Sequence, residues 1–198
     1  MTTPLYKSVS LGSPSISANG LTVLILLLFS GLSGFGQKHF ARSGEVQFFS
    51  STPIEDIEAK SQALTALFDA SSGEIAFQVP IRSFHFPNAL MEEHFNENYL
   101  ESEKHPKATF AGTIAGWEES KPAAEGADVV AVGDFTCHGV TVPREIAGKL
   151  TLNDEGRWTI QATFNVATAD HEIPIPAVVQ ENIAAEIEVT VHVTLEPR

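Results

Sequence analysis

The chain has 198 residues, of which 43% are hydrophobic and 19% charged, and its formal net charge is −13 at pH 7. The acidic balance argues against a nucleic-acid-binding protein, which needs basic residues to displace counterions from phosphates, and against charge-driven docking on an anionic membrane. The hydrophobic fraction excludes a disordered chain, and the single Cys excludes an internal disulfide and a multi-Cys metal site.

An uncharged apolar run at residues 21–29 precedes several small residues that end at Gly36. The run is shorter than the about 20 residues of a membrane-spanning helix and is typical of the apolar core of a secretory signal peptide. We therefore expect residues 1–36 to be a signal peptide and residues 37–198 to form the mature domain, secreted into the periplasm. An uncleaved N-terminal anchor is the alternative, because only Lys7 supplies side-chain charge before the run.

Alternation of apolar and polar residues predicts a series of β-strands after residue 37. The predicted strand segments are, in chain order, 40–51 (one or two strands), 56–68, 74–81, 107–117, 128–137, 145–152, 157–168 and 183–195. A turn cluster at 69–73 joins two of them, and the polar residues 118–126 form a hairpin loop.

Residues 88–100 break this pattern and predict a short helix. Asn88 is suited to the N-cap position. Met91, Phe95 and Tyr99 recur every four residues and place an apolar stripe on one helical face. Pro106 disfavours helical backbone at the preceding residue, which ends the helical segment before it.

Many short strands, turn clusters and one brief helix predict an all-β protein, an antiparallel barrel or sandwich with one short helix inserted between strands. Phe77, Phe110, Phe135 and Phe164 fall on the apolar faces of four separate strands. Two interpretations follow. These rings pack a solid core, or they line an apolar cavity, since a barrel of about eight strands is just wide enough to hold a small ligand.

Two stretches, residues 86–114 and 133–152, resemble the YceI-like family of secreted bacterial proteins, also called polyisoprenoid-binding or lipid-binding YceI domains. The first stretch carries a Lys-Tyr-Pro-like corner and a strand ending in Phe, here His94, Phe95, Tyr99, Lys104, His105, Pro106 and Phe110. The second carries a Gly-Val-Thr turn, here Gly133, Phe135, Thr136, His138, Gly139, Val140 and Thr141.

The resemblance implies a lipocalin-like antiparallel β-barrel with a long apolar tunnel and, in many members, a bound isoprenoid-type lipid. Some members are linked to stress tolerance instead. We expect the lipid to be held by Phe77, Val79, Phe110, Phe135, Phe164 and Val189. The helix residues Leu90, Met91, Phe95 and Tyr99 are expected to pack against the barrel or to gate its entrance.

This sequence departs from the family pattern at two places. Val142-Pro143-Arg144 replaces the usual Lys after the Gly-Val-Thr turn, and residues 43–48 lack the common Asp-x-x-His-Ser pattern. Both departures bear on the shape of the tunnel and therefore on the identity of the ligand.

Three groups of residues are candidates for reactive or metal-binding chemistry. Cys137 and His138 are adjacent, but neighbours on a strand point to opposite faces, which predicts a buried thiol beside a surface imidazole at a turn. Residues 92–94 and 171–172 contain acids and histidines without the spacing of a metal site, which indicates a solvated acidic face. His39, His85, His105 and His192 also lack such spacing. We therefore expect no catalytic residues, no metal and no cofactor.

The favoured hypothesis is a non-enzymatic carrier whose partner is an apolar isoprenoid-type lipid or isoprenoid quinone. The competing hypotheses are a stress-related interaction protein with a fully packed barrel and a metal-dependent or thiol enzyme on the same barrel. No nucleic-acid partner is expected, and a homodimer is left open. The volume of the barrel interior separates the carrier from the packed barrel.

Overall fold

The computed structural model describes residues 38–117 and 126–198, which form one antiparallel sheet of ten strands. The strands are β1 (Lys38–Ala41), β2 (Glu45–Ser51), β3 (Asp56–Ser61), β4 (Thr65–Asp69), β5 (Glu74–Pro80), β6 (Lys107–Ile114), β7 (Ala127–Cys137), β8 (Val140–Leu152), β9 (Trp158–Ala167) and β10 (Glu186–Pro197). The predicted signal peptide and all but the last residue of the predicted loop at 118–126 lie outside the described residues. Within the described ranges, no helix is both long and apolar enough to cross a membrane.

The ten strand segments close into an eight-stranded barrel because two pairs of segments each act as one kinked strand. Strand β10 pairs with β1 at residues 196–197 and with β2 at residues 188–192. The opposite edge of β1 pairs with β4, and that of β2 pairs with β3. Strands β4 to β10 then follow one another around the wall. The expectation of an all-β, lipocalin-like antiparallel barrel with one short helix is confirmed.

The predicted strands are confirmed where the alternation is strict. In β5, Ile75 and Val79 are buried, and both face the interior, as the period-two pattern requires. Strand β10 keeps one register with β9 over its whole pairing, from Glu186 opposite Ala167 to Leu195 opposite Trp158. Because a one-residue slip would turn the apolar face of β10 outward, burial of that face specifies this register.

Strand β8 begins five residues earlier than predicted, and the difference lies in a tight turn. Cys137 pairs directly with Val140, which leaves His138 and Gly139 as a two-residue loop. Both loop residues have positive φ angles, 50° and 78°. This is the combination required by a type I′ hairpin turn, whose twist matches that of the flanking strands.

The predicted helix forms between β5 and β6. Asn88 is the N-cap of helix α1 (Ala89–His94), and its side-chain oxygen accepts a hydrogen bond of 2.9 Å from the backbone N–H of Leu90. The chain then widens into one π-helical turn, Phe95–Tyr99, before Leu100 is buried. The segment lies across one end of the barrel and presents its apolar stripe to the interior.

The other end of the barrel is filled by Phe68, Trp117 and Trp158, which we call the aromatic floor. The ring of Phe68 is fully buried, with centroids 5.1 Å from Trp117 and 5.3 Å from Trp158. The indole N–H of Trp117 donates to the backbone oxygen of Ala70 at 3.0 Å. Edge-to-face contacts between large buried rings seal this end with apolar side chains and leave the Trp117 donor satisfied.

Candidate functional site

A cavity of about 400 Å³ lies inside the barrel between the aromatic floor and helix α1. Side chains of β2, β3 and β5 to β10 line it, together with residues of the segments on either side of α1 and of the β9–β10 connection. The lining is almost entirely aliphatic and aromatic. Its volume falls in the range of about 300–1,000 Å³ that is usual for small-molecule pockets, and the barrel is therefore not the fully packed one of the competing hypothesis.

Nine of the ten residues predicted to hold a ligand line this cavity. They are Phe77, Val79, Met91, Phe95, Tyr99, Phe110, Phe135, Phe164 and Val189. Leu90 is the exception: the residue is 56% exposed and lies outside the lining, because α1 presents Met91 and the following turn to the interior instead. That the nine residues bind a lipid stays a prediction.

Three predicted rings form a belt across neighbouring strands. Phe77 on β5 is the register partner of Phe110 on β6, which in turn is the partner of Phe135 on β7. The ring centroids of Phe77 and Phe110 are 6.4 Å apart, and Phe164 on β9 lies 6.0 Å from Phe135, edge to face. The belt gives the middle of the cavity an aromatic wall.

Four further rings at the α1 end of the cavity form what we call the entrance cluster: Phe48, Phe84, Phe86 and Phe95. Phe95 lies within 5.1–5.8 Å, centroid to centroid, of the other three rings. Sequence reasoning found only Phe95. Phe84 and Phe86 follow β5 in irregular chain without a period to reveal them, and Phe48 stands next to a second Phe, which hides the phase of β2.

The β9–β10 connection, residues 168–185, covers the same end of the cavity and was not predicted to contribute. It places Ile173, Ile175, Val179 and Ile183 in the lining. Two hydrogen bonds connect it to the end of β2 and to the turn that follows β2. The side-chain amide of Asn182 donates to Glu55 Oε2 at 3.1 Å, and the backbone N–H of Ala184 donates to Ser50 Oγ at 2.9 Å.

Polar lining groups include Glu55, His94 and Asn182 at the α1 end of the cavity. His94 is exposed to solvent and also lines the cavity, so the interior communicates with solvent beside α1. The deep part is lined by residues such as Ile114 and Leu150, which are buried and apolar. The cavity is thus polar at its entrance and apolar towards the aromatic floor.

Cys137 lines the cavity, and its burial raises the pKa of the thiol to about 11. The thiol is therefore protonated at neutral pH, which is unlike the thiolate of a catalytic cysteine. Its burial also disfavours a disulfide between two chains. The prediction of a buried thiol agrees with this position.

The prediction of a surface imidazole beside it was wrong, because His138 is buried. Its Nδ1 lies 3.0 Å from the backbone oxygen of His171, and its Nε2 lies 3.4 Å from Glu101 Oε2. Both partners are distant in sequence, and local alternation could not reveal them. His171 is also fully buried, with its ring against Phe135, and so does not belong to a solvated acidic face.

The acidic group at 92–94 is only partly solvated. Glu92 Oε2 accepts a hydrogen bond of 3.1 Å from the backbone N–H of Phe86, and so connects α1 to the entrance cluster. A different group, Glu101, His105 and His138, brings three ligand-type atoms within 4.8 Å of one another, although none of the three lines the cavity.

A family model of the YceI-like domain matches residues 34–195, most of the chain. The chain belongs to the YceI-like family. The family match and the hollow antiparallel barrel agree with the resemblance carried by the two sequence stretches. No curated protein sequence matches the chain.

Solved structures from three bacteria share this fold at low sequence identity. A polyisoprenoid-binding domain from Saccharophagus degradans, implicated in plant cell wall breakdown, is 14% identical with a TM-score of 0.72, covering 82% of this chain and 99% of its own. BcnA of Burkholderia cenocepacia is 16% identical with a TM-score of 0.65, covering 77% and 96%. A YceI protein of Campylobacter jejuni is 13% identical with a TM-score of 0.51, covering 66% and 77%. At these identities the likeness establishes the barrel fold.

Proposed function

We propose that this YceI-like protein is a secreted, periplasmic carrier that holds a long apolar lipid, an isoprenoid or isoprenoid quinone, inside its barrel. The observation that carries the proposal is the apolar cavity of about 400 Å³ with polar groups at its entrance. The fold is shared with a protein described as polyisoprenoid-binding. Secretion is supported by the apolar run at 21–29 and the small residues that follow it.

The chemistry of the cavity suits an isoprenoid tail. Such a tail has no hydrogen-bonding groups, and its transfer from water into an apolar lining gains about 25 cal/mol for each Å² of apolar surface removed. A polar headgroup would cost free energy in the deep part and belongs at the entrance, where Glu55, His94 and Asn182 offer partners. The arrangement therefore favours a lipid bound with its tail towards the aromatic floor.

The first test is native mass spectrometry of the protein purified from a bacterial periplasm. We expect a co-purifying apolar molecule that is released on denaturation and is extractable into organic solvent. Protein that is free of ligand, and that stays free after incubation with isoprenoid quinones and prenols, would contradict the carrier function.

Two substitutions test whether the aromatic belt holds the lipid. Phe110→Trp and Phe135→Trp each add bulk inside the cavity, where a well-packed wall cannot give way without cost. We expect each to weaken quinone binding at least about tenfold, which corresponds to about 1.4 kcal/mol. Binding is measured by titration of the ligand-free protein with an isoprenoid quinone.

A matched control adds the same ring on the outside of the same strand. Val132 lies on β7 three residues before Phe135 and is 42% exposed. Val132→Trp should leave quinone affinity unchanged. If all three variants bind the quinone as tightly as the wild type does, the belt is not part of the binding site.

A further inference from the structure

Glu101, His105 and His138 meet at a point outside the cavity lining. Glu101 and His105 belong to the corner between the π-helical turn and β6, and His138 belongs to the type I′ turn between β7 and β8. Their ligand-type atoms, one carboxylate oxygen and two imidazole nitrogens, lie within 4.8 Å of one another. Glu101 and His105 are half-buried, whereas His138 is buried.

The hydrogen bond made by Nδ1 of His138 determines whether the other ring nitrogen, Nε2, donates or accepts. A backbone oxygen only accepts, so Nδ1 of His138 donates its proton to the oxygen of His171, 3.0 Å away. In the neutral ring, Nε2 then carries a lone pair, and it faces Glu101 Oε2, which is also an acceptor, at 3.4 Å. Either a proton added to Nε2 or a metal ion between the two atoms makes this contact favourable.

The separation of these two atoms is long for a shared proton and suits a shared metal ion. A charge-assisted N–H···O bond is about 2.7–2.9 Å long, shorter than the separation observed here. Two ligands at about 2.0–2.1 Å from a tetrahedral zinc ion lie about 3.3–3.4 Å apart, which agrees with 3.4 Å. The back-side hydrogen bond to a carbonyl is also the usual way in which a zinc-binding histidine is oriented.

The turn leaves room for the third ligand. A Cβ atom at Gly139 would lie 2.6 Å from Cε1 and 2.8 Å from Nδ1 of His105, so the imidazole rests directly on the glycine backbone. The rings of His105 and His138 are edge to face, with centroids 4.8 Å apart. A shift of the half-buried His105 towards the other two residues closes a three-ligand set, and water can take the fourth position.

We propose that Glu101, His105 and His138 form a zinc-binding site, separate from the lipid cavity. The ion would join the corner before β6 to the β7–β8 turn. Through the hydrogen bond from His138 to His171, it would also fix the start of the β9–β10 connection. Sequence reasoning missed this site because 33 residues separate His105 from His138, and no short motif spans them.

The test is a calorimetric titration of the metal-free protein with zinc chloride, carried out on the wild type and three variants. His105→Phe keeps an aromatic ring on the turn but removes its nitrogen ligands, and Glu101→Gln keeps the shape but removes the charge. We expect one zinc ion per chain in the wild type and at least about tenfold weaker binding in both variants. His192→Gln is the matched control, since His192 is an exposed histidine on β10, and it should bind zinc as the wild type does.

A fourth variant tests the site in the opposite direction. Lys104 forms an ion pair with the second oxygen of Glu101, and its ammonium group repels a divalent ion. Lys104→Gln should therefore bind zinc more tightly than the wild type. Cobalt bound in place of zinc should give the intense visible absorption of a tetrahedral site in the wild type and not in His105→Phe.

Absence of zinc binding to the wild type would overturn the proposal. Binding of equal strength in the wild type, His105→Phe and Glu101→Gln would do so too, because it would assign the ion to scattered surface histidines. Circular dichroism of each variant checks that the barrel is folded. Quinone binding is measured separately, so failure of the zinc site leaves the carrier function standing.

Discussion

Cys137 shows at the scale of a single residue how the barrel interior controls chemistry. Its pKa of about 11 arises from burial, which penalises the thiolate, and is only partly offset by a hydrogen bond from the backbone of His138. In the unfolded chain the ordinary value of 9.0 returns. The native state thus binds the thiol proton more tightly than the unfolded state does.

This difference predicts a loss of stability at high pH. The contribution of Cys137 is complete below about pH 9, and it is lost as the pH rises towards 11, because the unfolded thiol ionises first. Between pH 7 and pH 10 we expect the wild type to lose about 1 kcal/mol more unfolding free energy than Cys137→Ala does, as measured by urea denaturation. Equal losses in the two proteins would show that the thiol does not titrate differently on unfolding.

Single-residue reasoning from sequence succeeded for apolar residues and failed for polar ones. Phe77 and Phe110 were placed in the interior by alternation alone, because burial of an apolar side chain needs no particular partner. His138 and His171 are buried beside partners far along the chain: Nδ1 of His138 lies against the backbone oxygen of His171, and Nδ1 of His171 lies against that of Val140. A pattern confined to neighbouring residues does not contain that information.

At the scale of secondary structure elements, the contact between β6 and β7 depends on a pair of glycines. Gly112 and Gly133 are register partners. A Cβ at Gly133 would lie 2.3 Å from the backbone oxygen of Ala111, and one at Gly112 would lie 2.2 Å from that of Val132. The two strands therefore approach more closely here than side chains would allow, as occurs where a barrel wall bends sharply.

Gly133→Ala should destabilise the protein by about 1–3 kcal/mol, because the new methyl group forces two backbones apart. Urea denaturation gives the value. Thr113→Ala, an exposed position on β6 beside the pair, serves as the control and should change stability by less than about 0.5 kcal/mol. A Gly133→Ala protein as stable as the wild type would mean that the close approach is easily relaxed.

Element boundaries were predictable where hydrophobic periods or caps mark them. Strict alternation located β5, β9 and β10, and Asn88 located the start of α1. The kink that divides one wall strand into β1 and β2 has no such signal, since it depends on how β10 shares its edge between them. The β9–β10 connection was likewise missed, because its apolar residues alternate with prolines rather than with strand-forming polar residues.

At the scale of the whole molecule, the two ends of the barrel differ in how tightly their side chains pack. The aromatic floor is densely packed, whereas the rings above it border an open cavity. A ring that faces empty space has fewer dispersion contacts to lose on truncation. Stability should therefore depend mainly on the floor, and ligand binding mainly on the upper wall.

Phe68→Ala and Phe164→Ala test this division. Phe68 is fully buried in the floor, and its truncation should cost about 3–5 kcal/mol of unfolding free energy. Phe164 borders the cavity, and its truncation should cost clearly less while weakening quinone binding. Urea denaturation and quinone titration measure the two effects. The division would be wrong if Phe164→Ala proved as destabilising as Phe68→Ala.

The closed end formed by Phe68, Trp117 and Trp158 determines how a lipid could enter and leave the barrel. A tube open at both ends could act as a conduit and pass a lipid from a donor on one side to an acceptor on the other. Among the described residues the aromatic floor closes one end of the barrel, so a lipid that entered tail first beside α1 would leave through the same opening. The lipid donor and the lipid acceptor would therefore have to bind the same face of the protein, one after the other. The protein would release the acceptor in its ligand-free form.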